Sequence, residues 1–172
     1  MAARPGALVR MLYRLPLRLR RVGIGGYERL LGIEWIALTT RGRRTGRPHT
    51  VMLDVVGRNP ASGGWYVQPA DPRAAWVLNV RATPDVRVEA EGVVHDAVAV
   101  EVTGAEGANV VLRFIREHPR YARLVVRLVG YTETVDVPDE ELRRRLQRVV
   151  VFALRPALRA SGLDPARRSI TQ

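Results

Sequence analysis

The chain has 172 residues, of which 47% are hydrophobic and 26% charged, a balance that suits one folded domain rather than a disordered or collagenous chain. It has no cysteine, which removes thiolate catalysis, disulfides and cysteine-held metal or iron–sulfur sites. A net charge of +11, carried by 28 arginines and no lysine, calls for an acidic partner: nucleic acid, an anionic membrane or a polyanionic small molecule.

The charge sits at the front, where residues 1–47 hold eleven arginines against Glu28 and Glu34. Over residues 1–30 the spacing predicts a basic amphipathic helix, interrupted near Pro16. Leu8, Met11, Leu12, Leu15 and Leu19 share one face, and Arg10, Arg14, Arg18 and Arg21 share the other. Residues 1–22 suit an anionic lipid surface, and they equally suit packing on the domain with a solvated arginine face. The arginines break any apolar run of signal-peptide length, and the longest such run, Val149 to Leu154, is too short to span a bilayer. A cytoplasmic protein is expected, at most peripheral on the inner face of the membrane.

Glu34 to Thr40 and Thr50 to Val56 read as strands joined by a Gly- and Arg-rich loop, and Trp65 to Gln68 follows as a third after a turn. Asp71 before Pro72 predicts an N-cap and a helix through Arg81 that Pro84 ends. Val86 to Ala90 alternates, Glu91-Gly92 turns, and Val93 to Val102 alternates again, a clear hairpin. Helical spacing runs from Ala105 to Glu117, from Pro119 to Leu128 and from Asp139 to Arg145, and a last strand runs from Arg148 to Leu154. The class is α+β: an antiparallel sheet, closed as a barrel to remove its edges, with flanking helices. The expected divisions are the helix over 1–30, a barrel domain over 31–160 and a tail over 161–172.

The loop Arg41-Gly42-Arg43-Arg44-Thr45-Gly46-Arg47 sets guanidinium forks among glycines that let backbone N–H groups approach an anion. It is neither a P-loop, which needs a lysine, nor a GxGxxG motif. Spacing alone leaves open an anion cradle and a solvated basic turn. The three histidines, His49, His95 and His118, lack metal-site spacing, so no metal is expected. The basic stretches lack interleaved aromatics and match no recognition motif, so nucleic acid is not expected.

Two blocks carry a resemblance. Leu38-Thr39-Thr40-Arg41-Gly42-Arg43-Arg44-Thr45-Gly46-Arg47-Pro48, followed by Trp76-Val77-Leu78-Asn79-Val80-Arg81-Ala82-Thr83-Pro84, resembles the paired signature LTTxGRxSGxP and WYxNLxANP of deazaflavin-dependent nitroreductases. The similarity continues through His118-Pro119-Arg120-Tyr121 and Val149 to Pro156. The resemblance implies a split β-barrel of the flavin-reductase-like kind that binds coenzyme F420, a deazaflavin with a phospholactyl and oligoglutamate tail, with FMN as the alternative cofactor. By residue match, Arg43, Arg44, Thr45, Gly46 and Arg47 would hold the tail and Pro48 would brace the exit. Met52, Trp76 and Asn79 complete the implied cofactor site, and for Trp76 a core position is equally open. Tyr121 is the candidate proton donor or substrate orienter.

The implied chemistry is hydride transfer between the deazaflavin and a quinone-like, nitro or enone acceptor, a small molecule. The cofactor carries the hard step, so no catalytic triad is needed. A non-catalytic binder of F420, flavin or haem is the other reading, and a homodimer fits the resemblance. His118, Asp54 and Met52 depart from the family pattern, where a tyrosine, an aromatic and a proline are common, so the ring side matches less well than the tail side.

Overall fold

A computed structural model describes residues 32–129 and 135–157. The amphipathic helix expected over residues 1–30, with its membrane reading, lies outside the described residues. Among those described, no helix is long and apolar enough to cross a membrane.

Six antiparallel strands close into a barrel: β1 (Trp35–Arg41), β2 (Pro48–Arg58), β3 (Trp65–Val67), β4 (Asp85–Ala90), β5 (Val93–Val102) and β6 (Val151–Pro156). Around the barrel the order is β1, β2, β3, β6, β5, β4, with β4 returning to β1. Closure pairs every strand on both sides and leaves no edge to aggregate, as the alternating patterns require.

Alternation sorts the side chains into two cores. Ile36 and Leu38, Leu53 and Val55, Trp65 and Val67, Val86 and Val88, Ala97 and Ala99, and Phe152 and Leu154 fill the barrel. Helix α1 (Ala75–Ala82) joins the same cluster through Trp76, Val77 and Val80, so it plugs the barrel and belongs to its core. The outward set, including Val56, Tyr66, Val102, Val151 and Ala153, packs against α2 (Gly104–Glu117), α3 (Pro119–Val129) and α4 (Asp139–Leu146). In α2 the buried positions Ala108, Val111, Leu112 and Ile115 recur at helical spacing, so one stripe of the helix faces the sheet. Each fully buried Val or Leu contributes about 1.5–3 kcal/mol of transfer free energy.

Several boundaries move from the sequence expectation. Strand β2 is eleven residues long and starts at Pro48, directly after the arginine loop, with a register shift between Val55 and Gly57. The helix expected from Pro72 begins only at Ala75, after Ala74. Asp71 does not cap it: its Oδ1 accepts the N–H of Arg73 at 2.8 Å, and its carbonyl accepts the N–H of Ala74 at 2.9 Å. The carboxylate thus stabilises a tight turn, which competes with the first helical turn. Strand β6 starts at Val151 rather than Arg148, since the Val149 N–H still bonds the Leu146 carbonyl at the end of α4. The Glu91-Gly92 turn takes φ of 51° and 80°, the left-handed pair that a two-residue hairpin needs.

Candidate functional site

The arginine loop is the β1–β2 hairpin turn. Gly42 N–H donates to the Arg47 carbonyl at 2.8 Å, and the Gly42 carbonyl accepts the N–H groups of Thr45 at 3.2 Å and Gly46 at 2.7 Å. Gly46 sits at φ 68°, where a side chain would be strained, and the Thr45 hydroxyl accepts the Arg47 N–H at 3.3 Å. The turn is therefore fixed by its own backbone, and Arg43, Arg44, Thr45, Gly46, Arg47 and Pro48 are all exposed. Seven other described arginines, at positions 58, 81, 87, 116, 123, 143 and 145, pair with carboxylates. Arg41, Arg43, Arg44 and Arg47 form no ion pair among the described residues.

Asn79 ties this turn to α1. Buried to 3% exposure, its Oδ1 accepts both the backbone N–H of Arg43 at 3.1 Å and the Arg43 guanidinium at 3.3 Å. Its Nδ2 donates to the hydroxyl of Thr40, itself 1% exposed, at 3.2 Å, and that hydroxyl donates to the His49 carbonyl at 3.3 Å. The two blocks of the sequence, far apart along the chain but adjacent in space, meet through this one side chain. Asn79→Leu removes three hydrogen bonds and leaves Thr40 facing an apolar group. A loss of about 2 kcal/mol is expected, read as a lower midpoint in urea, with faster exchange of the Arg43 amide.

The other implied residues lie elsewhere. Trp76 is in the barrel core, edge-on to Phe152 with ring centroids 5.3 Å apart. Met52 is buried on β2 at 2% exposure. Tyr121 stands on α3, and its hydroxyl donates to Asp54 Oδ2 at 3.1 Å. Asp54 is six residues along β2 from Pro48, about 20 Å at the usual rise per residue. The loop thus meets β2 at its start and Tyr121 meets it past its middle, so the two are not brought to one point.

Beside Asp54 and Tyr121 a cavity of about 360 Å³ opens between the barrel and the helices. Asp54 and Val56 of β2, Gln68 to Ala70, Phe114 and Ile115 of α2, Tyr121 of α3 and Leu142 of α4 line it. Burial pushes the Asp54 carboxyl above the usual aspartate range, against a backbone hydrogen bond and the Tyr121 bond, which pull it down. Sequence reasoning noted Asp54 only as a departure. The signal was there: an acid in the middle of Thr50 to Val56, an otherwise apolar strand.

A folded-state value raised above the unfolded one means that stability from this group is whole below the unfolded value, near 3.8, and is lost as pH rises through the folded value. Asp54→Asn should therefore match the wild-type melting temperature near pH 4 and exceed it increasingly toward neutral pH. A constant difference across that range would refute the burial effect.

The closed barrel carries an exposed arginine turn that forms no ion pair among the described residues, an arrangement that suits an acidic ligand. The chain belongs to the F420H(2)-dependent quinone reductase family, whose model matches residues 17–138. It is accordingly an F420-dependent oxidoreductase, and coenzyme F420 is its cofactor. No curated protein matches the chain. Among solved structures it is similar to an F420-H2 dependent reductase (FDR-A) at 24% identity, TM-score 0.47, over 70% of this chain and 93% of that one. It is similar to the protein Atu2129 of Agrobacterium tumefaciens, of unknown function, at 18% identity and TM-score 0.50, over 74% of this chain and 50% of that one. A pyridoxamine 5'-phosphate oxidase-related, FMN binding protein of Nostoc punctiforme matches at 13% identity and TM-score 0.49, over 83% and 78%. The residues present fit the cofactor's tail: a polyanion needs unpaired cations and a fixed turn, and the loop has both.

Proposed function

We propose that this protein reduces a quinone-like small molecule seated in the cavity between barrel and helices, with the phosphate and carboxylates of its cofactor held on the Gly42–Arg47 turn. The observation that carries this reading is the set of arginines at 43, 44 and 47, exposed and without an ion pair among the described residues, with Arg43 pinned to α1 through Asn79. Arg44 and Arg47 offer bidentate forks to the tail, Arg43 is positioned by Asn79, and the Thr45 hydroxyl and Gly46 backbone shape the turn. Pro48 fixes the chain direction into β2. Met52 lies between the tail end and the cavity end of that strand, and Trp76 holds α1 in the barrel.

A hollow of about 460 Å³ beside the turn is lined by Arg41, Gly46 and Pro48 together with Asp85, Arg87 and Asp96, so its two arginines and two carboxylates balance in charge. When bound, the cofactor supplies a hydride equivalent to an electrophilic acceptor. The protein's own residues orient that acceptor and exclude water from it: Val56, Phe114, Ile115 and Leu142 give an apolar wall, and Asp54 and Tyr121 supply polar atoms. A cavity of this size is at the small end of ligand sites, roughly 300–1,000 Å³, and admits a one- or two-ring acceptor.

Titrating the protein with the deazaflavin while following tryptophan fluorescence tests the tail site, and oxidation of the reduced cofactor with menadione tests the acceptor. Saturable quenching at micromolar cofactor and menadione turnover above background are expected. Absence of quenching would sink the tail assignment, and quenching without turnover would sink the acceptor assignment.

A further inference from the structure

Among the described residues Asp54 is the single carboxylate in the cavity lining, and it is buried to 8% exposure on a strand that is otherwise apolar at that level. Among the described residues no cation pairs with it; its side-chain partner is the Tyr121 hydroxyl, at 3.1 Å. A carboxylate so placed is costly as the anion, because an ion loses its hydration without gaining a counter-charge. Burial accordingly favours its neutral form. Among the described residues the other charged or titratable groups facing the cavity are Tyr121 from α3, Arg145 from α4 and Arg148 just after it, with His118 one step away, its ring tilted against Phe114 at 5.0 Å between centroids. Arg145 is engaged with Glu141. A neutral acid lining an apolar cavity that opens beside its own hydroxyl partner has the makings of a proton donor.

We propose that Asp54 is the group that gives a proton to an acceptor in this cavity, and that Tyr121 is the positioning residue that holds its carboxyl. The inference rests on the cavity being the acceptor site. Reduction of a quinone to the hydroquinone takes up two electrons and two protons. One hydride, which is both electrons and one proton, comes from the reduced cofactor of the established activity. The second proton leaves the Asp54 carboxyl for the acceptor oxygen, whose O–H bond forms as the Asp54 O–H bond breaks. The carboxylate that remains accepts the Tyr121 hydrogen bond, which stabilises the anion, and solvent returns the proton when the product leaves. Tyr121 thus keeps its own proton throughout.

Two measurements test this. In the protein without cofactor, carbon NMR of the aspartate carboxyls, assigned with Asp54→Asn, should show Asp54 titrating above the ordinary range. Tyr121→Phe should move it higher still, because the lost bond favoured the anion. In turnover with menadione, kcat/KM should fall on an alkaline limb at the Asp54 midpoint, and Tyr121→Phe should move that limb to higher pH. Asp54→Asn should lower kcat about 10²–10⁴-fold and abolish the limb, with cofactor affinity by fluorescence unchanged and partial recovery in Asp54→Glu. An Asp54 that titrates in the ordinary range, or an Asp54→Asn protein that keeps both its rate and the limb, overturns the proton-donor assignment. Wild-type protein that binds cofactor but reduces no quinone overturns the acceptor reading instead, so the two failures are told apart.

Discussion

Replacing Arg44 and Arg47 together by alanine is expected to weaken cofactor binding by two orders of magnitude or more while leaving the fold intact. Each guanidinium contact to phosphate or carboxylate is a charge-assisted hydrogen bond worth about 1.5–3 kcal/mol. Both side chains are exposed, so the lower figure applies, and the pair gives about 3 kcal/mol, roughly a 150-fold change in Kd. Neither arginine pairs with a carboxylate among the described residues, so the melting temperature should stay within a degree or two. The loss should also flatten the salt dependence, since two of the charges that attract the tail are gone. Fluorescence titrations at low and high salt measure both effects. Arg113→Ala, at an exposed arginine on α2 outside the turn, is the control and should change neither. A double variant that binds as tightly as the wild type would show that the tail lies elsewhere.

The architecture was legible wherever local pattern and tertiary contact agree. Val86 to Val102 shows alternation on both sides of a Glu-Gly turn, and the hairpin β4–β5 forms there. The helical spacing of Ala105 to Glu117 becomes α2, because the same residues that repeat in sequence are the ones the barrel buries. Legibility fails where a local bond competes with the regular element. Asp71 satisfies every sequence rule for an N-cap, yet its carboxylate bonds two residues on and makes a turn. No pattern in the sequence distinguishes these two uses of an aspartate, since both satisfy one backbone N–H.

The proposed site divides along the same line. The tail side is local: seven consecutive residues, with glycines where the turn needs them, so the string 41–47 nearly writes its own geometry. Its tie to Asn79 spans 36 residues and was visible only through the resemblance of two blocks. The proposed acceptor side is assembled from β2, the 68–70 segment and three helices, each contributing two or three residues. No window of sequence contains it. Asp54 could be noticed as an acid in an apolar strand, but its partner Tyr121 is 67 residues away, and only folding sets them 3.1 Å apart.

Trp76→Ala is expected to cost about 3–5 kcal/mol of stability, the range for deleting a large aromatic from a packed core. Trp76 is 5% exposed, meets Phe152 edge-on and joins the cluster that fills the barrel, so the variant opens a cavity that neighbours cannot close. The effect extends to the cofactor site by a mechanical route. Trp76, Val77 and Val80 anchor α1, α1 carries Asn79, and Asn79 holds Arg43. Loosening the anchor should therefore raise amide exchange at Arg43 and weaken cofactor binding, although the indole itself is enclosed in the core. Trp76→Phe separates the two roles that the family motif leaves open. It keeps an aromatic edge against Phe152, so α1 should stay docked and the Kd should stay within a few-fold of wild type, with Trp35 and Trp65 as the fluorescent reporters. A Trp76→Phe protein that is nearly as stable as the wild type yet binds the deazaflavin tens of times more weakly would mean that the indole contacts the cofactor directly, and that α1 must move to admit it.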